Sequence, residues 1–157
     1  MLDIGGFAPE FVLADHSGRD RSLSGLLRDG PLLLYFYPAD FTPGCTKEAC
    51  ILRDRHADMR SAALNVAGIS PQDAATHARF RNAFDLPFTL LCDPDKVVIR
   101  MYDLDGPFGI GVRRGTYLVG QDRRILDVVL ADFRIGRHAE FVERALRRQE
   151  EAGMRGS

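Results

Sequence analysis

Cysteine is scarce in this chain, with three among 157 residues. So small and odd a number excludes the disulfide-dense scaffold of small secreted domains and predicts a reducing, cytoplasmic environment. Basic residues are not in excess either: the formal net charge is -1, which argues against nucleic acid or an anionic membrane as partner. Long apolar runs are lacking, so no membrane span is expected, and no signal peptide is evident at the start.

Internal repeats, low-complexity segments and metal-site spacings are lacking as well. The four histidines do not have the spacing of a zinc site, and residues 106–111 lack the preceding strand of a phosphate loop. We therefore expect no metal and no cofactor. With 45% hydrophobic and 27% charged residues, the composition suits one globular domain over residues 1–157, with a disordered tail from about residue 153.

The hydrophobic pattern predicts alternating strands and helices, followed by a hairpin and a last helix. Strands are expected at residues 11–13, 32–37, 65–70, 88–92, 115–119 and 124–130, and helices at 45–60, 74–84, 97–102 and 136–151. Alternation followed by a hairpin implies a mixed central sheet flanked by helices on both faces. The predicted fold is α/β and thioredoxin-like, with a strand or hairpin extension at the N-terminus.

The most informative stretch is PADFTPGCTKEAC, from Pro38 to Cys50, which stands between a predicted buried strand and a predicted helix. Cys45 is expected to be the first helical residue, where backbone N–H groups lack partners and the helix dipole favours negative charge. Both effects stabilise the thiolate, which is the reactive form of cysteine. Thr42 can aim its hydroxyl at the same point, and Pro38 can shield the pocket without adding an N–H.

This predicted arrangement suits an oxidant that contains an O–O bond. A thiolate attacks one oxygen while the other leaves as hydroxide or alkoxide, so fixed donors stabilise the transition state more than the ground state. A distant arginine would complete the site, because a guanidinium stays charged and offers several donors. The product on Cys45 would be a sulfenic acid, which condenses with a second thiol.

Cys50 is a candidate for that second thiol, but an intact helix keeps it away from Cys45. Five residues advance about 7.5 Å along a helix and turn about 500°, whereas a disulfide needs Cα atoms roughly 4.4–6.8 Å apart. A Cys45–Cys50 disulfide therefore requires residues 42 to about 52 to unwind. An inert Cys50, with Cys92 or an external thiol as the partner, is the alternative; Cys92 itself fits a small residue of the core.

The pattern Pro38-x3-Thr42-x2-Cys45 resembles the active-site signature of the peroxiredoxins. The longer stretch of residues 37–50 closely resembles the bacterioferritin-comigratory, or Q-type, subfamily, whose members are atypical two-cysteine enzymes. The similarity spans nearly the whole chain and continues through residues 68–71, 86–88, 90–95 and 114–119.

This resemblance implies roles for the motif residues. Cys45 would be the peroxidatic cysteine and Cys50 the resolving cysteine of the same chain. Pro38, Thr42 and Gly44 would shape the peroxide pocket. The fold class implied is the same as the one that the hydrophobic pattern predicts.

The resemblance also implies an arginine and a glutamate at the site. Arg114 would reach across to the thiolate, and Glu48 would belong to a polar network around that arginine. From the residues alone, Arg114 could be an ordinary surface arginine, with the neighbouring Arg113 in its place at the pocket, and Glu48 could be a solvated helix charge.

A thiol-dependent peroxidase is the function that these patterns predict. Hydrogen peroxide and alkyl hydroperoxides would be its substrates, and thioredoxin or a similar dithiol protein its reductant. A monomer or a weak dimer is expected, partly because no long apolar edge or tail indicates an interface. The lack of a C-terminal Tyr-Phe pair and of a resolving cysteine near the end argues against partner-subunit resolution and decameric rings. A general thiol–disulfide oxidoreductase is disfavoured by the four residues between Cys45 and Cys50, where such enzymes have two. A non-enzymatic redox sensor or chaperone is the other alternative.

Overall fold

Strands and helices alternate along most of the chain, before a hairpin and a long last helix. A computed structural model describes residues 1–132 and 134–155. The strands are β1 (Val12–Ala14), β2 (Asp20–Ser22), β3 (Leu32–Phe36), β4 (Asn65–Ser70), β5 (Thr89–Cys92), β6 (Gly115–Val119) and β7 (Ile125–Leu130). The helices are α1 (Leu23–Leu26), α2 (Pro43–Ser61), α3 (Ala74–Phe84), α4 (Val97–Met101) and α5 (Ile135–Arg155), with a 3-10 turn at Pro107–Gly109.

The central sheet has five strands in the order β5-β4-β3-β6-β7. Its β3, β4 and β5 run parallel, whereas β6 and β7 join in antiparallel fashion. Strands β1 and β2 pair with each other as a separate antiparallel hairpin near the N-terminus. This arrangement confirms the predicted mixed sheet, thioredoxin-like fold and N-terminal extension.

Strand β3 lies in the middle of the sheet and is buried on both faces. Its odd-numbered side chains pack against α2, α3 and α5, and its even-numbered side chains pack against α1 and α4. Alternate side chains of a strand point to opposite faces, so a strand between two helical layers needs apolar residues at every position. Burial on both faces therefore explains the apolar run from which β3 is predicted. The carboxyl end of β3 leads directly to the Cys45 motif.

Two helix boundaries differ from the sequence predictions by two residues or more. Helix α2 begins at Pro43 rather than Cys45, because Thr42 is the N-cap and a proline fits the first helical turn. Helix α5 continues through Gly153 to Arg155, so it extends into the segment from about residue 153 that was expected to be a tail; residues 156 and 157 lie outside the described part. A single glycine weakens a helix by about 1 kcal/mol without ending it. Among the described helices, none is long and apolar enough to cross a membrane.

Candidate active site

Cys45 lies in the first turn of α2, as its third residue. The first backbone hydrogen bond of the helix runs from the Thr46 N–H to the Thr42 carbonyl, at 2.9 Å. The N–H groups of Gly44 and Cys45 therefore have no partner within the helix, and Pro43 has no N–H at all. The Cys45 side chain is 1% exposed, so its sulfur is buried in the turn of the helix whose first N–H groups lack helical partners.

Arg114 immediately precedes β6, and its side chain contacts this sulfur. Its Nη2 lies 3.2 Å from Cys45 Sγ. Gly44 permits the approach, because a Cβ at that position would lie 3.1 Å from the same nitrogen. Arg114 is 8% exposed, and its backbone N–H donates to Asp132 Oδ1 at 2.9 Å.

Arg113 points elsewhere. Its guanidinium is paired with Asp132, with Nη2 at 2.9 Å from Oδ2, and its side chain is 41% exposed. The structure therefore brings Arg114 to Cys45, as the peroxiredoxin resemblance implied. Arg113 does not take this place in the structure, since its guanidinium is engaged by Asp132.

Glu48 occupies the opposite side of the Arg114 guanidinium. Arg114 Nη1 donates to Glu48 Oε1 at 2.9 Å, so one guanidinium joins the carboxyl group and the sulfur one helical turn apart. Burial raises the pKa of Glu48 to about 7, although the charge and hydrogen bond of Arg114 act against this rise. Burial favours a neutral Arg114, yet Glu48 and Cys45 raise its pKa above the usual value. Glu48 is thus a buried partner of Arg114 and not a solvated charge.

His138 and Thr116 complete this network, and the sequence analysis did not identify either. His138 Nδ1 lies 3.1 Å from Glu48 Oε2 and 3.2 Å from Thr116 Oγ1. Both side chains are buried. Burial, together with the positive charge of Arg114, lowers the pKa of His138 to about 3, so the ring is neutral at physiological pH. A neutral ring adds a hydrogen-bonding group beside Glu48 without adding another positive charge.

Thr42 and Pro38 lie at the outer side of the site. The Thr42 hydroxyl donates to the Ala39 carbonyl at 2.8 Å, within its own loop. The proton of this hydroxyl is therefore engaged within the loop, and a role for Thr42 at the Cys45 sulfur stays a prediction. Pro38 and Arg114 both line an open groove of about 610 Å³, whose apolar wall includes Pro107 and Ile110. This groove gives a route from the surface to the Arg114 guanidinium.

Comparison with known proteins shows the family of this chain. Residues 4–128 match the model of the AhpC/TSA family. The chain belongs to this family of peroxiredoxins. It is 36% identical to a putative peroxiredoxin of Mycobacterium tuberculosis over 149 residues, which cover 93% of this chain and 97% of the relative. It is 43% identical over 119 residues to a chloroplastic peroxiredoxin Q of Oryza sativa, which cover 75% of this chain and 54% of that protein, so the chain spans about half the length of this relative.

Solved structures show the same fold. The peroxidoxin BcpB of Mycobacterium tuberculosis superimposes with a TM-score of 0.87 at 35% identity, covering 94% of this chain and 97% of that one. A mutant of the Xylella fastidiosa PrxQ superimposes with a TM-score of 0.85 at 24% identity, covering 98% of each chain. The thioredoxin-like architecture is therefore common to this family member and its relatives.

The other two cysteines of this peroxiredoxin are free thiols in different surroundings. Cys50 is half-buried within the intact α2, five residues after Cys45. Cys92 ends β5 and is buried, as expected for a small core residue. Burial, with smaller effects from three nearby carboxylates, raises the pKa of the Cys92 thiol to about 11. Cys92 is thus a protonated thiol at neutral pH.

Proposed function

We propose that this protein is a thiol-dependent peroxidase that reduces hydrogen peroxide and organic hydroperoxides at Cys45. The contact of 3.2 Å between Arg114 Nη2 and Cys45 Sγ, at the first turn of α2, carries this proposal. A guanidinium and free helix N–H groups both stabilise the thiolate form of a cysteine. The names of the relatives, peroxiredoxin and peroxiredoxin Q, support the same activity.

In the first step, the Cys45 thiolate attacks the terminal oxygen of the peroxide. A sulfur–oxygen bond forms and the O–O bond breaks, so that Cys45 is oxidised to the sulfenic acid and the peroxide is reduced to water or an alcohol. The leaving oxygen gains negative charge and takes a proton. Arg114 and the N–H groups of Gly44 and Cys45 are donors that face this charge, and donors placed in advance lower the barrier. Pro38 and Thr42 form the outer wall of the pocket.

Glu48 keeps the arginine in this position. Its carboxyl group binds Nη1 of Arg114, which leaves Nη2 directed at the sulfur. His138 lies against the other oxygen of Glu48 and limits its movement. The two ends of the guanidinium thus have separate tasks, one structural and one directed at the reacting atoms.

In the second step, the thiol of Cys50 attacks the Cys45 sulfenic acid, a disulfide forms and water leaves. Both cysteines lie in one unbroken helix, and five residues advance about 7.5 Å along it, beyond the Cα separation that a disulfide allows. The first turns of α2 must therefore unwind, which breaks the contacts of Arg114 with Cys45 and Glu48. A dithiol protein of the thioredoxin type would then reduce the disulfide.

We propose further that the protein acts as a monomer in the cytoplasm. The sequence after Phe141 contains no aromatic residue and no cysteine, so it offers no resolving thiol to a partner subunit. Light scattering after size-exclusion chromatography tests the monomer: a mass near 17.5 kDa is expected for each particle, and twice that value would contradict it.

Peroxide consumption by the purified protein tests the proposed activity. With dithiothreitol or thioredoxin and its reductase as electron source, we expect repeated turnover of hydrogen peroxide and of cumene hydroperoxide. Reduction of insulin without any peroxide turnover would instead identify a general thiol–disulfide oxidoreductase. Oxidation of Cys45 without turnover by any dithiol would identify a redox sensor.

A further inference from the structure

A second buried polar cluster lies under the loop of residues 38–42, apart from the Arg114 network. It consists of Tyr37, Asp40 and His77. Tyr37 Oη donates to Asp40 Oδ1 at 2.6 Å, and His77 Nδ1 lies 2.6 Å from Asp40 Oδ2. The side chains of Asp40 and His77 are both 0% exposed. Three polar groups are thus held together inside the protein, at the base of the loop that carries the pocket residues.

The partners of His77 indicate where its protons lie. Nε2 is 3.0 Å from the carbonyl oxygen of Leu91, which can only accept, so Nε2 carries a hydrogen. Nδ1 faces the carboxyl group of Asp40, whose other oxygen already accepts from Tyr37. If Asp40 is ionised, the ring meets an acceptor at each nitrogen, an arrangement that the imidazolium form satisfies, and a carboxylate is the partner that makes a buried positive charge tolerable.

The cluster fixes the loop to α3. The Asp40 N–H donates to Gln72 Oε1, in the segment before that helix. Phe41, the next residue, has a φ of 66°, in the left-handed region that bulky residues avoid. Its ring packs on Phe80 and Phe84 of α3, with centroid separations of 5.2 and 6.2 Å. A strained conformation persists only where surrounding contacts impose it, and both aromatic contacts of Phe41 come from α3.

We propose that Tyr37, Asp40 and His77 form a charged positioning cluster, in which a His77 imidazolium and the Asp40 carboxylate hold the loop of residues 38–42 in the shape that peroxide attack at Cys45 requires. Asp40 lies two residues from each of the two pocket residues of this loop. It also precedes the segment that must unwind during disulfide formation. The cluster therefore acts on the peroxide step and not on the disulfide step; this inference rests on the proposed peroxidase function.

The charge of the cluster is tested by NMR of the wild-type protein with 15N-labelled histidine at neutral pH. A doubly protonated ring carries two N–H groups and a neutral ring carries one. The spectrum of His77→Gln identifies the signals of His77. We expect two N–H signals for this residue. A neutral ring with one bare nitrogen would overturn the charged cluster, and this result does not depend on any variant being active.

The positioning role is tested with Asp40→Asn and His77→Gln, each checked for folding by circular dichroism. Rapid-quench mass spectrometry measures formation of the Cys45 sulfenic acid and of the disulfide separately. We expect the peroxide step to slow about tenfold or more in both variants while the disulfide step stays within about twofold, since small misplacements of reacting groups cost this much. The matched control is His56→Gln, because His56 is half-buried on α2 and has no hydrogen bond to any described residue.

Two results would overturn the positioning role: an unchanged peroxide step in both variants, or equal slowing of both steps. A wild-type protein whose Cys45 does not react with peroxide is a different result. It would overturn the proposed function itself, and the positioning role with it.

Discussion

Cys45 and Cys92 are buried to nearly the same extent, with exposures of 1% and 7%, yet their surroundings have opposite charge. The Cys45 sulfur faces the guanidinium of Arg114 at 3.2 Å. The Cys92 sulfur faces the backbone carbonyl of Asp15 at 3.9 Å, and burial and nearby carboxylates raise its pKa to about 11. Burial alone therefore does not distinguish the two thiols; the charges and donors around each sulfur do.

The position of each cysteine in the fold explains this contrast. Cys45 lies at the start of a helix, where free N–H groups and the helix dipole favour an anion. Cys92 ends β5, a strand at the edge of the sheet, where its sulfur faces a backbone carbonyl and carboxylates lie nearby. The same residue type is thus expected to be a nucleophile in one place and a packing residue in the other.

Replacing Cys45 or Cys92 with serine gives the largest expected difference in peroxide turnover. Cys45→Ser should reduce peroxide turnover to the background rate, because a serine hydroxyl is not ionised at neutral pH and cannot be oxidised to a sulfenic acid. Cys92→Ser is the matched control, and it should keep the rate within about twofold, since a protonated buried thiol takes no part in the reaction. Consumption of hydrogen peroxide measures both. Activity retained in Cys45→Ser would refute the account.

Removing the Arg114 guanidinium tests whether this charge is what distinguishes the surroundings of Cys45 from those of Cys92. Arg114→Ala should slow the first reaction with peroxide by about 10²–10³-fold, equivalent to about 2.7–4 kcal/mol, which is the usual effect of losing one transition-state donor. The control Arg113→Ala also removes one arginine charge, but this guanidinium is paired with Asp132. This variant should change the rate of Cys45 oxidation little. Rapid kinetics of Cys45 oxidation compares the two variants, and equal effects would contradict a specific role for Arg114.

Cys50→Ser separates the two chemical steps. The first reaction with peroxide should keep its rate within about twofold, because Cys50 does not stabilise the leaving oxygen, while the Cys45 sulfenic acid should persist and be oxidised further to the sulfinic acid in excess peroxide. Mass spectrometry detects the added oxygens. If this variant behaves as the wild type does, Cys92 or an external thiol resolves the sulfenic acid.

The smallest expected effect is on the pH dependence of the alkylation rate of Cys92. In a Cys45→Ser, Cys50→Ser variant, Cys92 is the one thiol left in the sequence, and iodoacetamide reacts with its thiolate. Because its pKa is raised to about 11, the thiol is protonated at neutral pH, and the alkylation rate should rise through the alkaline range as pH approaches that value. A rate that reaches its plateau near pH 8 would contradict the raised pKa.

The arrangement of strands and helices was predictable because its signals are local. The unbroken apolar run of β3 indicated a strand covered on both faces, and the structure places it in the middle of the sheet. The start of α2 was misplaced by two residues, although Thr42 followed by Pro43 is a typical N-cap and first helical position.

The two buried histidines were not identified, because their partners are distant in sequence. His138 meets Glu48 and His77 meets Asp40 only when the chain is folded. Each histidine nevertheless lies on the apolar face of its helix: His138 precedes Phe141 by three residues, and His77 precedes Phe80 by three. A polar residue on a core-facing stripe was the available signal, but its partner could not be read from the pattern.

The most direct test of the account is the mass of the fully reduced protein, and of its peptides, after one equivalent of hydrogen peroxide. The account predicts loss of two hydrogens and a peptide in which Cys45 is linked to Cys50. An unmodified Cys45 after minutes would mean that Arg114 and the start of α2 do not activate this thiol, and would contradict the central claim.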